Sequence, residues 1–318
     1  MTAGGTRHEG LRPYVELARI DHWFKNIFIV PGIAAALLLE PSTRNPSNAF
    51  GTFIAILSAC LVASSNYVLN EILDAGTDRH HPSKKNRPVV AGRVRLPFAY
   101  AEWALLGAAG LLLGALVSTP LLVSLLALWT MGLIYNVPPI RTKEVLYLDV
   151  LSEAINNPIR LLLGWYAVGG SVLPPSSFLL AYWLIGAYLM AAKRFAEYRS
   201  IGDPERAARY RSSFRYYTEE RLATAMMAYA SGFMFFVGVI LVKYHVEYII
   251  ACPLLMIYLG YYTHLAYQEE SVAQNPEKLY RDPLLMFLTI LIVVTISVLS
   301  VLHLPSLERW LGIAVRGW

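Results

Sequence analysis

Long uncharged stretches separated by short basic segments form the main pattern along this chain. Six stretches of at least 21 residues contain no Asp, Glu, Lys or Arg, namely residues 45–70, 103–140, 161–192, 222–242, 248–268 and 283–307. A helix of about 20 apolar residues crosses the hydrocarbon core of a bilayer. The pattern therefore predicts an all-α membrane protein.

Proline and glycine breaks divide these stretches into about nine transmembrane helices. We place them near residues 23–40, 50–70, 97–117, 120–138, 148–168, 176–195, 222–243, 247–267 and 283–303. Residues 1–22 mix charged and apolar positions, which predicts an interfacial amphipathic segment on the cytoplasmic side. We expect residues 23–318 to form a single transmembrane domain.

The composition narrows the class of protein. Of the 318 residues, 56% are hydrophobic and 15% are charged, and the mean hydropathy is +0.46. Soluble globular domains carry about 25% charged residues. The composition therefore excludes a soluble dinucleotide-binding enzyme, a secreted disulfide scaffold and a disordered protein. Cys60 and Cys252 each stand alone in an apolar stretch and indicate neither a metal cluster nor a disulfide.

The basic residues are divided unevenly between the two sides of the predicted membrane. With Arg160 placed inside the membrane, 22 of the 27 Lys and Arg residues fall on one side and 4 on the other. The positive-inside rule makes the basic side cytoplasmic. We therefore expect a multi-pass protein of the cell membrane, with its N-terminus and an anion-binding site facing the cytoplasm.

Amide and carboxylate side chains recur every four residues at the cytoplasmic end of the second predicted span. Asn70, Asp74 and Asp78 share one helical face, and Glu71 lies at its edge. Carboxylates this close repel one another unless a cation joins them. Mg²⁺ binds through one or two carboxylates while substrate phosphates supply further oxygens. We expect all four residues to be catalytic, with Asn70, Asp74 and Asp78 as magnesium ligands. The alternative is an acidic helix end that only pairs with the basic loop after it.

Cations suited to phosphate groups accompany this cluster. Lys84 and Arg87 lie in the loop that follows it, and Arg141 and Lys143 precede the fifth predicted span. Arg binds a phosphate bidentately, and Lys binds it as a point charge. We expect these four residues to bind substrate phosphates, although a basic loop also serves simply to set membrane orientation.

The fifth predicted span carries charged and amide side chains about four residues apart. Asp149, Glu153, Asn156 or Asn157, and Arg160 would form one polar stripe on an otherwise apolar helix. Arg160 would lie about three helical turns into the membrane. It needs an anionic partner there, either a carboxylate of the stripe or a ligand phosphate.

A third charged group ends the sixth predicted span. Lys193, Arg194 and Glu197 lie within one helical turn of each other. Lys193 and Glu197 would form an ordinary helix salt bridge. The alternative is that the two cations bind a lipid phosphate at the membrane surface.

The acidic cluster resembles a known motif. Asn70-x3-Asp74-x3-Asp78, placed after the second predicted span, resembles the first acidic motif of the UbiA superfamily of intramembrane prenyltransferases. The resemblance covers nearly the whole chain and implies a helical bundle that binds Mg²⁺-diphosphate and opens to the cytoplasm and to lipid. Glu71 stands where that family usually has Asp. Lys193-Arg194-x2-Glu197 stands where its aromatic prenyltransferases carry a second Asp-x3-Asp motif.

Further short motifs resemble one branch of that superfamily, the decaprenyl-phosphate phosphoribosyltransferases. The matches are Trp23-x-Lys25-Asn26, His81-Pro82-x-Lys84-x2-Arg87-Pro88, Asp149, Arg160 and Lys193-Arg194-x2-Glu197. This resemblance adds Lys25 and Asp149 to the expected substrate-binding residues, beside Arg160, Lys193, Arg194 and Glu197. Two stretches depart from the branch, Asn136-Val137-Pro138-Pro139-Ile140 and Glu153-Ala154-Ile155-Asn156-Asn157-Pro158. They indicate a divergent relative, with a different acceptor or donor as the alternative.

The resemblance implies a membrane-embedded transferase of cell-envelope biosynthesis. It would move a 5-phosphoribosyl group from phosphoribosyl pyrophosphate (PRPP) to a polyprenyl phosphate such as decaprenyl phosphate. Mg²⁺ is the expected cofactor, and an anionic diphosphate donor, the lipid phosphate and the membrane are the expected partners. No nucleic-acid partner is expected. The sequence is compatible with a homo-oligomer but does not determine the oligomeric state.

Two other functions are compatible with the sequence. An enzyme of the same fold would move a prenyl group from a prenyl diphosphate to an aromatic or other small acceptor. A transporter would bind an anionic solute at its polar stripe, but the two similar halves typical of transporters are not visible in the sequence.

Overall fold

The structure, a computed structural model, describes residues 10–79 and 84–311, and these form helices joined by turns. The His81-Pro82 part of the predicted motif lies outside the described residues. The α-helices are α1 (Arg12–Leu17), α2 (Val30–Leu39), α3 (Asn48–Asp78), α4 (Leu96–Val117), α5 (Thr119–Asn136), α6 (Leu148–Ala154), α7 (Asn156–Ala167), α8 (Ser176–Ile201), α9 (Pro204–Tyr210), α10 (Glu219–Lys243), α11 (Cys252–Ala266), α12 (Pro283–Leu299) and α13 (Pro305–Trp310). Short 3-10 helices lie between them, including Ile20–Ile29, Thr142–Glu144 and Val246–Ala251.

Seven helical stretches of the described chain are long and apolar enough to cross a membrane. They are Arg12–Leu39, Asn48–Asp78, Leu96–Val117, Thr119–Asn136, Ser176–Ile201, Glu219–Lys243 and Val246–Tyr267. Helix α12 is also apolar but has only 17 residues. The predicted all-α fold with several membrane-spanning helices is confirmed, whereas the count of nine spans and the cytoplasmic N-terminus stay predictions.

The fifth predicted span, residues 148–168, is not one helix. α6 ends at Ala154, and α7 begins two residues later. Pro158 lies four residues beyond that end; a proline has no N–H, and its ring clashes with the carbonyl of the residue four positions before it. The prediction of one continuous polar stripe from Asp149 to Arg160 is therefore wrong, because the break divides its residues between two short helices.

The described chain forms two compact units. The first comprises Met1–Ser152 and Asn156–Pro174, and the second comprises Glu153–Ile155 and Pro175–Trp318. The expected boundary at residue 22 stays a prediction.

Within the first unit, α2 and α7 pack with their backbones in contact. A Cβ atom on Gly32 would lie 2.0 Å from the carbonyl oxygen of Leu161, and one on Gly164 would lie 2.1 Å from that of Ile29. Small residues at a helix crossing permit this approach and are typical of membrane helix pairs. Neither glycine position has room for a larger residue.

Polar contacts join α3, α4 and α5 of the first unit. Ser65 Oγ donates to the carbonyl oxygen of Trp103 at 2.8 Å and accepts from Trp129 Nε1 at 3.2 Å. The two indole rings stack with their centroids 5.5 Å apart. Asn66 Nδ2 donates to the carbonyl oxygen of Leu128 at 2.9 Å. These contacts hold α5 against α3 and so fix the C-terminal ends of both helices, where the site lies.

The second unit is built around α8, which packs along α10. Tyr188 of α8 donates from its hydroxyl to the carbonyl oxygen of Leu259 in α11 at 2.5 Å. α8 ends before Gly202, whose φ of +68° lies in the left-handed region that glycine adopts without steric cost. The last three turns of α8 carry Lys193, Arg194 and Glu197, the charged residues predicted from the sequence.

Candidate active site

The C-terminal end of α3 presents the predicted acidic cluster. The helix runs without interruption to Asp78, so residues 70, 74 and 78 follow one another along one face. Asn70 Nδ2 donates to Asp74 Oδ2 at 3.2 Å, which places the amide and the first carboxylate side by side. The predicted geometry of this face is therefore present.

Asp74 is held by two cations from the segment after α5. Its Oδ1 accepts from Lys143 Nζ at 2.5 Å and from Arg141 Nη2 at 3.1 Å. The side chain of Lys143 is 9% exposed, and those of Asp74 and Arg141 are 17% and 16% exposed. Because the three groups are largely removed from water, their electrostatic interaction is stronger than that of a surface pair.

Asn136, which the sequence reasoning did not assign to the site, joins α3 to these cations. Its buried side chain accepts at Oδ1 from Asn70 Nδ2 at 2.6 Å and from Lys143 Nζ at 2.8 Å. Its Nδ2 donates to the carbonyl oxygen of Gly132 at 2.9 Å, which fixes the orientation of the amide. Asn136 is the last residue of α5 and lies near the end of a long uncharged stretch. An asparagine at such a position is the feature of the sequence that could have indicated a site residue.

Arg141, one of the two cations beside Asp74, has a strained backbone conformation. Arg141 has a φ of +30°, in the left-handed region that only glycine adopts readily. Its guanidinium donates from Nε to Glu144 Oε1 at 2.6 Å and from Nη1 to the carbonyl oxygen of Asn136 at 3.3 Å. Strained residues of this kind persist where the surrounding contacts hold them, and they concentrate at functional sites.

Asp78 is held by the two cations predicted from the loop after α3. Its buried carboxylate accepts from Arg87 Nη1 at 2.5 Å, and Lys84 Nζ lies 3.6 Å from its other oxygen. Asp74 and Asp78 together thus contact four cations, Lys84, Arg87, Arg141 and Lys143.

Glu71 has different partners from the two aspartates. Only 3% of it is exposed, and its Oε1 accepts from the backbone N–H of Val89 at 3.2 Å. Arg19 and Arg87 are its positively charged neighbours. The structure therefore directs this carboxylate towards the segment that follows the acidic cluster.

The chemistry of the donor set fits Mg²⁺ only as part of a complex with substrate. No group of three or more His, Cys, Asp or Glu residues that could hold a metal is found among the residues described. Asp74, Asp78 and the amide of Asn70 offer hard oxygen donors, and Mg²⁺ needs only one or two carboxylates when phosphates complete its shell. The adjoining cations suit such a phosphate-rich ligand.

Arg160 and Asn26 contact each other elsewhere in the first unit. Arg160 Nε donates to Asn26 Oδ1 at 3.3 Å, and Asn26 Nδ2 donates to Cys60 Sγ at 3.1 Å. The expected pairing of Arg160 with a carboxylate is not found within the described part of the chain. Lys25 lies half-buried in the 3-10 helix Ile20–Ile29, and Asp149 is fully buried in α6. These contacts leave the substrate-binding roles of the three charged residues as predictions.

The charged group at the end of α8 is a cluster around one buried carboxylate. Glu197 accepts from Arg194 Nη1 at 3.0 Å, and Lys193 Nζ lies 3.9 Å away. Arg211, which directly follows α9, has its Nε 4.0 Å from the same carboxylate. Three cations therefore surround Glu197, so the salt bridge expected from the sequence is part of a larger cationic group.

A membrane-spanning helical fold with two carboxylates beside four cations fits a membrane-embedded transferase. The chain belongs to the UbiA prenyltransferase family, whose pattern matches residues 28–291. The resemblance drawn from the acidic motif is thereby confirmed.

Individual relatives add detail. The chain is 28% identical over 221 residues to decaprenyl-phosphate phosphoribosyltransferase of Mycolicibacterium smegmatis, with 67% of each protein covered. It is 31% identical over 162 residues to protoheme IX farnesyltransferase of Bacillus mycoides, covering 48% of this chain and 50% of that protein. The chain thus spans about two thirds of the length of the first relative and half that of the second.

A solved structure shares the fold. A UbiA homolog from Archaeoglobus fulgidus bound to GPP and Mg²⁺ superposes with a TM-score of 0.66 at 18% identity. The match covers 91% of this chain and 100% of that one.

Proposed function

We propose that this protein transfers the 5-phosphoribosyl group of PRPP to a polyprenyl phosphate and releases pyrophosphate. The observation that carries the proposal is the set of four Lys and Arg side chains that contact Asp74 and Asp78 at the end of α3. When Asp74 and Asp78 hold Mg²⁺, these four cations can bind phosphate oxygens, and a ligand with several phosphate groups suits them best. PRPP brings a diphosphate and a separate 5-phosphate, whereas a prenyl diphosphate brings the diphosphate alone.

Two further observations support the proposal. The mycobacterial relative is named decaprenyl-phosphate phosphoribosyltransferase. The end of α8 carries Lys193, Arg194 and Glu197 in place of the second pair of aspartates that the aromatic prenyltransferases have. A cationic group suits an acceptor that is itself a phosphate better than it suits a neutral aromatic ring.

The residues at α3 would act on the donor. Mg²⁺ held by Asp74, Asp78 and Asn70 would neutralise charge on the pyrophosphate leaving group. Lys84 and Arg87 beside Asp78, and Arg141 and Lys143 beside Asp74, bind the remaining phosphate oxygens of the donor. Preorganised cations of this kind stabilise the charge that develops as the leaving group departs.

The transfer itself needs little proton movement. The bond from C1 of the ribose to the pyrophosphate oxygen breaks, and a phosphate oxygen of the lipid forms the new bond to C1. C1 gains oxocarbenium character on the way, as in other glycosyl transfers. The lipid phosphate is already an anion, so it attacks without a general base.

The remaining predicted residues belong to this proposal as substrate-binding groups. Arg160 in the first unit, and Lys193 with Arg194 in the second, are separate candidates for binding the acceptor phosphate. Lys25, Asp149 and Glu197 bind or orient substrate without an assigned group. The reaction takes place at the cytoplasmic face of the cell membrane.

Transfer of label into lipid tests the proposal. Purified protein in detergent receives ribose-labelled PRPP, decaprenyl phosphate and Mg²⁺, and label is followed into the organic extract. We expect lipid-phase label that EDTA abolishes. If folded protein with a verified acceptor transfers no label, PRPP is not the donor.

A second function of the same site is prenyl transfer from a prenyl diphosphate to an aromatic or other small acceptor. The relative from Bacillus mycoides is named a farnesyltransferase, and the Archaeoglobus homolog was solved with GPP and Mg²⁺. Turnover of a prenyl diphosphate in the absence of PRPP would favour this function.

A further inference from the structure

Glu71 directly follows Asn70, one of the proposed magnesium ligands, but its carboxylate accepts a hydrogen bond from the backbone. Its Oε1 accepts the backbone N–H of Val89 at 3.2 Å, and the residue is 3% exposed. Val89 belongs to residues 84–95, which we name the basic segment. A carboxylate that is buried and hydrogen-bonded to a backbone amide stabilises one position of that backbone.

The basic segment carries the cations of Asp78. Arg87 lies two residues before Val89 and donates to Asp78 Oδ2 at 2.5 Å, and Lys84 Nζ lies 3.6 Å from Asp78 Oδ1. Glu71 and Asp78 are seven residues apart, so both lie on one side of α3 two turns from each other. Glu71 and Asp78 therefore hold the same segment at two points.

Further contacts hold the other end of the segment. Arg93 Nη1 lies 2.8 Å from Glu16 Oε2 of α1, and the backbone N–H of Arg95 donates to Tyr14 Oη at 3.1 Å. Val94 is buried in an apolar cluster with Leu17, Val68, Ile72 and Ala99. The segment is thus fixed at its C-terminal end by α1 and by this cluster, and Glu71 fixes its middle.

We infer that Glu71 is a positioning residue rather than a metal ligand: it holds the basic segment through Val89 so that Arg87 and Lys84 meet a donor phosphate beside Asp78. The identity of that donor rests on the proposed function; the positioning does not. The inference also explains the length of the side chain. One methylene less would withdraw the carboxylate by about 1.5 Å, beyond hydrogen-bond reach of Val89.

Three variants separate positioning from metal binding. Glu71→Gln keeps an oxygen that accepts from Val89 but removes the negative charge that a metal ligand needs. Glu71→Ala and Glu71→Asp both lose the hydrogen bond, and Glu71→Asp keeps the charge. If Glu71 is a positioning residue, Glu71→Gln keeps the wild-type exchange rate at Val89 and the wild-type donor KM, and Glu71→Asp loses both. If Glu71 is a metal ligand, Glu71→Asp is the less impaired of the two variants.

The first readout is amide hydrogen exchange of the peptide that contains Val89, which needs no substrate. We expect exchange at Val89 to accelerate about tenfold in Glu71→Ala and Glu71→Asp and to stay near the wild-type rate in Glu71→Gln. Unchanged exchange in Glu71→Ala would overturn the inference. This readout stands whether or not PRPP is the donor.

The second readout is kinetic and uses whichever diphosphate donor the wild-type enzyme turns over. We expect Glu71→Ala to raise the donor KM about tenfold through the misplaced cations, with the half-saturating Mg²⁺ concentration unchanged. A rise in that concentration in Glu71→Gln, as large as in Asp74→Asn, would make Glu71 a metal ligand and overturn the inference.

Glu247 provides a matched control. It is 2% exposed, and its Oε1 accepts from the backbone N–H of Leu304 at 3.0 Å, so it makes the same kind of contact in the second unit. Glu247→Ala should accelerate exchange at Leu304 and leave the donor KM unchanged. An equal rise of the donor KM in both alanine variants would assign the kinetic effect to general loss of structure and contradict the positioning role.

Discussion

Lys143 donates a hydrogen bond of 2.5 Å to Asp74, a residue 69 positions earlier in the chain. The contact joins the segment after α5 to the end of α3, and Asn136 accepts from the same ammonium group at 2.8 Å. The ammonium group thereby fixes the position of the Asp74 carboxylate at the end of α3 through a charge-assisted hydrogen bond.

Replacing either aspartate with asparagine tests the acidic centre. We expect Asp74→Asn and Asp78→Asn each to lower kcat at least about 100-fold, because charge stabilisation at the leaving group is lost. Asp203→Asn is the matched control, since Asp203 is exposed, caps α9 and is replaced by another good capping residue. Equal activity of Asp74→Asn and Asp203→Asn would exclude a metal-binding role for Asp74.

Removing Lys143 tests the binding of donor phosphates. Lys143→Ala leaves Arg141 beside Asp74, so we expect the donor KM to rise about tenfold while the protein stays folded. Steady-state kinetics across donor concentrations measure the change. Lys278→Ala, at an exposed position outside the site, should have the wild-type KM. A donor KM that is unchanged in Lys143→Ala would show that the lysine serves structure alone.

Asn136 should contribute both to stability and to activity. Asn136→Ala removes one acceptor of the Asn70 amide and one acceptor of the Lys143 ammonium, and Asp74 remains for both. The loss of these hydrogen bonds costs about 1–3 kcal/mol of unfolding free energy. Thermal unfolding in detergent and turnover are measured together.

Asn48 is the control for that variant. Its Nδ2 donates to the carbonyl oxygen of Val168 at 2.6 Å, so Asn48→Ala also removes a contact between chain segments. We expect Asn48→Ala to lower stability with kcat retained in the folded fraction. Loss of kcat in both variants to the same degree would contradict a specific role for Asn136.

The backbone contact between α2 and α7 should not tolerate a methyl group. Gly32→Ala would place a Cβ atom 2.0 Å from the carbonyl oxygen of Leu161, so the helices must separate, at a cost of about 1–3 kcal/mol. Gly238→Ala is the control, because a Cβ atom there meets nothing within 4 Å. Alanine favours a helix more than glycine does, so Gly238→Ala should not lower the melting temperature. A melting temperature of Gly32→Ala that is equal to that of the wild type would contradict the close packing of α2 on α7.

Helical spacing was sufficient to predict the acidic face. Asn70, Asp74 and Asp78 lie on one continuous helix, so their relation depends only on the geometry of that helix. The presence of several apolar helices long enough to cross a membrane was likewise predictable from length and hydropathy, whereas the count of nine stays a prediction.

Contacts distant in sequence could not be predicted in the same way. The partners of Asp74 come from the segment after α5, and only the packing of α5 on α3 brings Asn136 and Lys143 to it. No pattern of neighbouring residues in the sequence predicts a contact of this kind. The break between α6 and α7 was visible in principle, since Pro158 excludes a continuous helix, but the spacing of polar residues indicated one span.

The identity of the donor is tested most directly by pyrophosphate release from two donors under one set of conditions. The wild-type protein and Asp74→Asn receive either PRPP with decaprenyl phosphate or a prenyl diphosphate with an aromatic acceptor, each with Mg²⁺. We predict release only from PRPP, dependent on the lipid phosphate and lost in Asp74→Asn. Release from the prenyl diphosphate, with none from PRPP, would contradict phosphoribosyl transfer and assign prenyl transfer to this site.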